Sequence, residues 1–587
     1  MNDGAGFTEE QKQYLDGFLR GVAAQRGLPS AGAPASMPAP GAFDIHRAAQ
    51  DRFIAAGKKL TPEEEGKRKS HPLDMWDEFR AEAAEGRFPK GIDVFRHKFF
   101  GLFYVAPAQD AFMCRLRIPN GILAAHQLTG LAELAERWAG GYADVTTRAN
   151  LQLREIKPRG IVEMLTGIQD LGLTTRGAGA DNIRNLTGSP TAGIDAQELI
   201  DTRPLVRALH HTILNHRELY GLPRKFNIAF DGGGTVPVLE DTNDIGFAAV
   251  KVPPGASVPE GVYFRMLLGG ITGHGDFARD TGVVLTPSEC LGAAIAVVRV
   301  FIAEGDRTDR KRARLKYVLD AWGIEKFVEA VEKERGSAFT RLPLEQCLPR
   351  GPIEKHGHIG IHAQRQPGLH YLGVALPVGR LTAAQLHGIG AIAATFGSGT
   401  VRLTVWQNLV ISDVPTEKLG PAREALGELG LGVAASALRG ALVACTGNTG
   451  CKFAATDTKG QAMRLAAHLE KSVTLDQPVN IHLTGCPNSC AQHAVSDIGL
   501  LGVKVGEEMV EGYTIFVGGG AGEGRRLGRE VFAQVPMDEL PRRLEAMLKA
   551  YLAQRRDGES FNDFTARHSV EALRALFVLG AAAEIAA

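Results

Sequence analysis

Two stretches decide the fold: RIPNGILAAHQLTGL (117–131) and ALPVGRLTAAQLHGI (375–389). A shift of 258 residues lays one on the other. Pro119, Gly121, Gln127 and Gly130 then meet Pro377, Gly379, Gln385 and Gly388. The match continues without a gap, with Gly141, Thr146, Asn150 and Leu151 on Gly399, Thr404, Asn408 and Leu409. Further on, a shift of 253 lays DIGFAAVKV (244–252) on DIGLLGVKV (497–505), and Asn227-Ile228 on Asn480-Ile481. A shift of 249 aligns the glycines of GGITGHG (269–275) and GGGAGEG (518–524). Conserved order with slow drift marks a duplication, so the body is two halves of about 250 residues. A repeat this long implies pseudo-two-fold symmetry rather than a solenoid.

Each half reads as α+β. A strand (MCRLRI; LGVALP) leads through a Pro/Gly turn into a helical stretch, then into a further strand (YADVTTRANLQLREI; TVRLTVWQNLVISDV). A larger unit follows, with helices such as Gln461–Lys471 and strands such as FNIAFDG and VNIHLTG. Residues 1–43 stand apart: Glu9–Gln25 suits a short amphipathic helix, and GLPSAGAPASMPAPGAF reads as a linker. A pseudo-two-fold interface is a natural place for a cofactor.

Composition narrows the function. The 587 residues correspond to roughly four domain-sized units. Sixty-six Lys+Arg balance 66 Asp+Glu, which argues against binding nucleic acid or a membrane surface by bulk charge. A local basic pocket stays open, because a sum carries no positions. Seventy glycines, about 12 % against a usual ~7 %, predict many tight turns or backbone packed on something large and flat. The opening MNDGAGFTEEQ is acidic where a signal peptide is basic and then apolar, and no apolar run is long enough to span a bilayer, so a cytoplasmic protein is expected. Seven cysteines are too few for a disulfide framework.

Four of the seven gather in CTGNTGC (445–451) and GCPNSC (485–490), a C-x5-C and a C-x3-C separated by 34 residues. Half one has no cysteine counterpart; Arg148 there matches Trp406. Structural zinc sites prefer shorter C-x2-C or C-x4-C knuckles, and an iron–sulfur cubane suits wider spacing. The five-residue loop carries two glycines whose backbone N–H groups can face sulfur. A predicted helix starting at Cys451 would turn its positive end to an anionic cluster. An iron–sulfur cluster, a zinc site and four unrelated thiols all remain open on spacing alone.

Several motifs, in order, carry a resemblance: HKFFGLFY, FMCRLRIPNG, DVTTRANLQLR, DNIRNLTGSP, LPRKFNI and TGCPNSC. From about Trp76 onward the chain resembles the siroheme-dependent assimilatory nitrite and sulfite reductases. The resemblance implies that each half is a small ferredoxin-like half-domain plus a larger α+β domain, with cofactors at the interface. The divisions expected are 1–43 (extension and linker), 44–165, 166–345, 346–420 and 421–587. Cys445, Cys451, Cys486 and Cys490 would bind a [4Fe–4S] cluster, with Cys490 also the axial ligand of the siroheme iron. Arg115, Arg184, Lys225 and Asn227 would line the anion pocket. Arg148 and Gln152 would contact siroheme carboxylates, and Asn488 would lie near the macrocycle. Lys225-Phe226-Asn227 follows the nitrite-type Lys-x-Asn pattern, where sulfite-type members carry Lys-x-Lys. One cation fewer suits a monoanion over a dianion, so nitrite is expected and sulfite is the alternative.

The remaining features are weighed on their residues. Neither GGITGHG nor GGGAGEG fits G-x-G-x-x-G, and no G-x4-G-K-[ST] occurs, so close-packed turns are expected and electrons would come from a protein donor. The family expectation is reduced ferredoxin, with flavodoxin the other acidic donor, acting on a monomer. RTDRKRARLKY (307–317) reads as a basic helix, either a docking surface or a face turned to solvent or cofactor. His356, His358, His362 and His370 are expected as loop or core residues, and Cys114, Cys290 and Cys347 as packed thiols. From a different class, a zinc-stabilised binding protein would also account for four clustered cysteines.

Overall fold

The computed structural model describes residues 44–522 and 524–585. The expected helix at Glu9–Gln25 and the linker after it lie outside the described residues. The described chain forms four sheets, two per half, of mixed α+β character. In the first, Leu102–Tyr104, Phe112–Arg115, Asn150–Ile156 and Tyr142–Thr146 pair antiparallel in that spatial order. Its counterpart orders Gly360–Ala363, Leu369–Val374, Leu409–Pro415 and Thr400–Leu403 in the same way. The single strands expected over 142–156 and 400–414 are each broken by a tight turn into a hairpin. Ala149 and Gln407 in those turns take positive φ.

Each of these sheets is completed by the other half. Arg380–Thr382 pairs with Tyr142–Thr146, and Ile122–Ala124 pairs with Thr400–Leu403. The exchange accounts for the matched glycines. A Cβ at Gly121 would meet Leu403 O at 2.7 Å, and one at Gly379 would meet Val145 O at 2.7 Å. Both residues also have positive φ, 69° and 76°. The matched glutamines are explained by helix entry. Gln127 Oε1 accepts from Ala124 N at 3.0 Å while its Nε2 donates to Leu171 O at 3.0 Å. Gln385 repeats both bonds, to Thr382 N at 3.0 Å and Leu429 O at 3.1 Å. The helices they start, Ala125–Trp138 and Ala383–Phe396, lie against each other. At Gly390 a Cβ would stand 2.8 Å from Thr129 Oγ1. Leu128, Leu131, Leu386 and Ile389 therefore fall in one shared core with both sheets, and burying it fixes the two halves together.

The larger units repeat a mixed pattern. Thr187–Gly188, Ile228–Asp231 and Ile245–Val252 run parallel, and Gly261–Leu268 and Arg279–Leu285 then turn antiparallel. Leu442–Ala444, Ile481–Thr484, Ile498–Val505, Val510–Val517 and Arg529–Pro536 do the same. One repeated device fixes the end of the second strand. Asp244 accepts from Asn227 N at 2.8 Å, and Asp497 accepts from Asn480 N at 2.6 Å. Asp244 is held in turn by Arg314 at 2.7 Å, and Asp497 by Lys355.

Two expected helices begin later than their sequences suggest. The run 307–317 becomes helical only from Leu315. Three of its four arginines turn inward: Arg307 to Glu64 at 2.6 Å, Arg310 to Asp181 at 2.8 Å and Arg314 to Asp244. It is therefore not a basic helix, and only Lys311 and Arg312 of its cations stay exposed. The helix after Cys451 spans Thr458–Ser472, because Asp457 caps it by accepting from Gly460 N at 3.1 Å. Cys451 lies in the loop before that cap, and the first helical residue, Thr458, brings its Oγ1 to 3.5 Å from the Cys445 sulfur. No helix among the described residues is long and apolar enough to cross a membrane.

Candidate active site

One cavity of about 410 Å³ opens at the carboxyl ends of the parallel strands Leu442–Ala444 and Ile481–Thr484 of half two and at the amino ends of Thr187–Gly188 and Ile228–Asp231 of half one. Every residue singled out from the sequence lines it. Arg115, Arg148, Gln152, Arg184, Lys225 and Asn227 come from half one, and Cys445, Cys451, Cys486, Asn488 and Cys490 from half two.

Half one supplies cations. Arg115 ends the strand Phe112–Arg115, opposite Gln152, and its guanidinium lies 4.5 Å from the Phe103 ring centre. Arg148 sits in the hairpin turn and donates to Asn243 Oδ1 at 2.9 Å and Asn185 O at 3.0 Å. Arg184 donates to the carbonyls of Ala178 and Ala180, both at 2.7 Å. Burial lowers the pKa of Arg115 and Arg148 to about 10, and pushes Arg184 well below the ordinary guanidinium value with help from Arg115. Lys225 is lowered to about 7, by burial first and then by Arg314, against the opposing pull of Cys490. Asn227 is placed by Asp244 through its backbone, which leaves its amide free to face the cavity.

None of Arg115, Arg148, Arg184 and Lys225 has a carboxylate within salt-bridge distance among the described residues. Buried Nε atoms of Arg148 and Arg184 also lack a hydrogen-bond partner. A buried cation without a counter-ion is costly unless an anion completes it. This donor set fits anionic groups, whether a polycarboxylate macrocycle or a small oxyanion.

Half two supplies thiols. Cys445 follows the strand Leu442–Ala444, and its sulfur accepts from Gly485 N at 3.2 Å. Cys486 and Cys490 lie in the turn after Ile481–Thr484. The Cys490 carbonyl accepts from Thr147 Oγ1 at 2.9 Å, so this turn is pinned to the arginine turn of half one. Burial raises the Cys490 thiol to about 11; Cys445 and Cys486 add to the rise, and Lys225 and Arg115 oppose it. A bound metal would reverse that balance by taking the thiolate. No three His, Cys, Asp or Glu side chains among the described residues converge on one point as a single ion requires. Four thiols spread over one wall fit a multinuclear cluster better than a mononuclear zinc site.

Arg154 also lines the cavity and escaped the sequence reading. It donates to Gly450 O at 3.1 Å and Thr446 Oγ1 at 2.8 Å, tying half one to the Cys445–Cys451 loop. Strand alternation could have found it, because it shares a face with Gln152 two residues earlier. The expected core residues behave as such. His358 is buried against Trp406, ring centres 5.8 Å apart, and Cys114 and Cys290 are fully buried. The glycines of 269–275 and 518–524 form close-packed turns. A Cβ at Gly270 would meet Asn243 O at 2.5 Å, and one at Gly519 would meet Ala494 O at 2.5 Å.

Comparisons with known proteins agree with this arrangement. The model of the nitrite and sulphite reductase 4Fe-4S domain matches twice, at 179–339 and 436–582. The nitrite/sulfite reductase ferredoxin-like half domain matches at 106–171 and 362–429. A ferredoxin–nitrite reductase of Leptolyngbya laminosa is 39% identical over 477 residues, 78% of this chain and 90% of that protein. One of Synechococcus elongatus is 36% identical over 515 residues, 84% of this chain and 97% of that protein. The solved structure of the Mycobacterium tuberculosis NirA protein superposes with a TM-score of 0.81 at 28% identity, covering 89% of this chain and 99% of that one. With its duplicated α+β halves, its [4Fe–4S]-type domain and these relatives, the chain belongs to the nitrite and sulfite reductase family.

Proposed function

We propose that this chain reduces nitrite to ammonium with six electrons taken singly from reduced ferredoxin, at a siroheme coupled to a [4Fe–4S] cluster. Cys445, Cys451, Cys486 and Cys490 would hold the cluster, and Cys490 would also hold the siroheme iron. Arg148 and Gln152 would take the macrocycle's carboxylates, with Asn488 beside the ring. When bound, siroheme would supply a redox-active iron and the cluster would supply single electrons.

The protein's own contribution is electrostatic. Arg115, Arg184 and Lys225 draw a small oxyanion out of water and hold it by charge-assisted hydrogen bonds. Burial and Arg314 lower the Lys225 ammonium below its ordinary value, which suits Nζ to give up a proton and regain one from solvent. Asn227 donates a neutral hydrogen bond where a second lysine would add charge. That favours a monoanion, and it agrees with relatives named ferredoxin–nitrite reductases. The observation that carries the reading is the set of half-buried cations without carboxylate partners, facing four thiols across one cavity. The test is anaerobic turnover with reduced ferredoxin. Nitrite should exceed sulfite in kcat/KM by at least about tenfold, roughly 1.4 kcal/mol. An equal or inverted ratio would move the assignment to sulfite reduction.

A further inference from the structure

The first family-model match begins at residue 106, yet an earlier helix reaches beneath the anion pocket. Pro62–Lys69 is started by Thr61, whose hydroxyl accepts from Glu64 N at 3.3 Å. Its Lys67 points inward and is only 4% exposed. The ammonium donates to the Glu64 carboxylate, to Asp181 Oδ2 at 3.3 Å, to Gly221 O at 3.3 Å and to Leu222 O at 2.8 Å. Asp181 precedes Arg184 by three residues, and Leu222 precedes Lys225 by three. Both segments are paired to each other: Phe226 N donates to Asn182 O at 3.1 Å, and Arg184 N to Phe226 O at 2.8 Å. Gly221 N donates to Asn182 Oδ1 at 3.0 Å. One buried ammonium thus grips both strands of this pairing at the same end.

We propose that Lys67 is a positioning residue of the anion pocket, holding the Arg184 and Lys225 segments at the separation at which both cations reach one small anion. The inference rests on the anion-binding role given above to Arg184 and Lys225. Arg184 is otherwise held only by carbonyls of its own segment, and Lys225 has no carboxylate partner among the described residues. Without the ammonium, Asp181 loses one of its buried partners and two carbonyls lose their donor. The segments then part, and the anion meets one cation well and the other poorly. Misplacement by about 1 Å in such a clamp can cost up to about a hundredfold.

The experiment compares three holoenzyme variants with the parent, each normalised to its siroheme and iron content. In Lys67→Met, KM for nitrite should rise about tenfold with a much smaller change in kcat. Glu64→Gln removes the other carboxylate on Lys67 and lowers stability, yet should keep KM within about twofold. If Lys67→Met does not accumulate as folded holoenzyme, Asp181→Asn carries the test. It keeps the shape, weakens the same tie and should raise KM about threefold. A KM within twofold of the parent in Lys67→Met, or in Asp181→Asn where it stands alone, overturns the proposal. So does an equal rise in Glu64→Gln, which would make the network merely structural. Failure of the parent to reduce nitrite would instead sink the proposed function, so the two failures are separable.

Discussion

Replacing Asn227 by lysine should move the enzyme toward sulfite, and the size of the shift can be worked from the pocket. Asn227 lies in the cavity wall with its backbone N–H fixed by Asp244, so the new side chain starts from a held position. An ammonium about 5 Å from the bound anion, at an effective dielectric of ~20, attracts each unit of negative charge by about 3 kcal/mol. Sulfite as a dianion gains that once more than nitrite. The gain is offset by desolvation of the new ammonium and by repulsion from Lys225, which already sits at about 7 because of burial and Arg314. Allowing half of the gain to be lost leaves about 1.4 kcal/mol, or tenfold, in the sulfite-to-nitrite ratio of kcat/KM. The assay is steady-state turnover of both anions at matched siroheme content. Asn227→Met is the control: it removes the amide without adding charge and should weaken both substrates while leaving the ratio within about twofold. A ratio unchanged in Asn227→Lys, or an equal shift in Asn227→Met, refutes the charge argument.

Other outcomes follow from the same geometry. Cys490→Ser should abolish nitrite reduction and change the visible spectrum, because the thiolate that links the cluster to siroheme is gone; full activity would remove Cys490 from that role. Arg314→Met leaves Asp244 buried with one backbone partner, so unfolding should be eased by about 3–5 kcal/mol, read as a lowered denaturant midpoint; a change below about 1 kcal/mol would mean that the pair contributes little. Acid should destabilise the protein between about pH 7 and 5, because buried neutral histidines take up protons on unfolding. Burial lowers His358 to about 3 and His482 to about 4, while each rises to about 6.5 on unfolding. Their contribution is present above pH ~6.5 and is lost as pH falls toward those folded values, about 2 kcal/mol each between pH 7 and 5. Thermal midpoints measured across that range check it, and His358→Gln should flatten the decline.

The duplication was legible because it leaves residues in register: Gln127 and Gln385 recur since each makes the same pair of hydrogen bonds. The eleven residues named from the cysteine spacing and from the family resemblance all line one cavity. The strand exchange was not legible. Ile122–Ala124 and Arg380–Thr382 are three-residue strands whose partners lie far along the chain, and alternation in so short a run specifies no partner. The run 307–317 misled for a related reason. Arg307, Arg310 and Arg314 are neutralised by Glu64, Asp181 and Asp244, scattered over some 180 residues, so local composition overstates the charge left exposed. At the cavity, Arg154 and Lys459 pair with Asp144, whereas Arg115, Arg148, Arg184 and Lys225 have no carboxylate partner among the described residues.

The central claim is that this cavity joins siroheme to a [4Fe–4S] cluster through Cys490. The most direct test is the visible absorption spectrum of the purified protein together with its iron and acid-labile sulfide. The account predicts siroheme bands and about five iron atoms per chain, four in the cluster and one in the macrocycle. Zinc in place of iron, with no sulfide and no siroheme band, would contradict it.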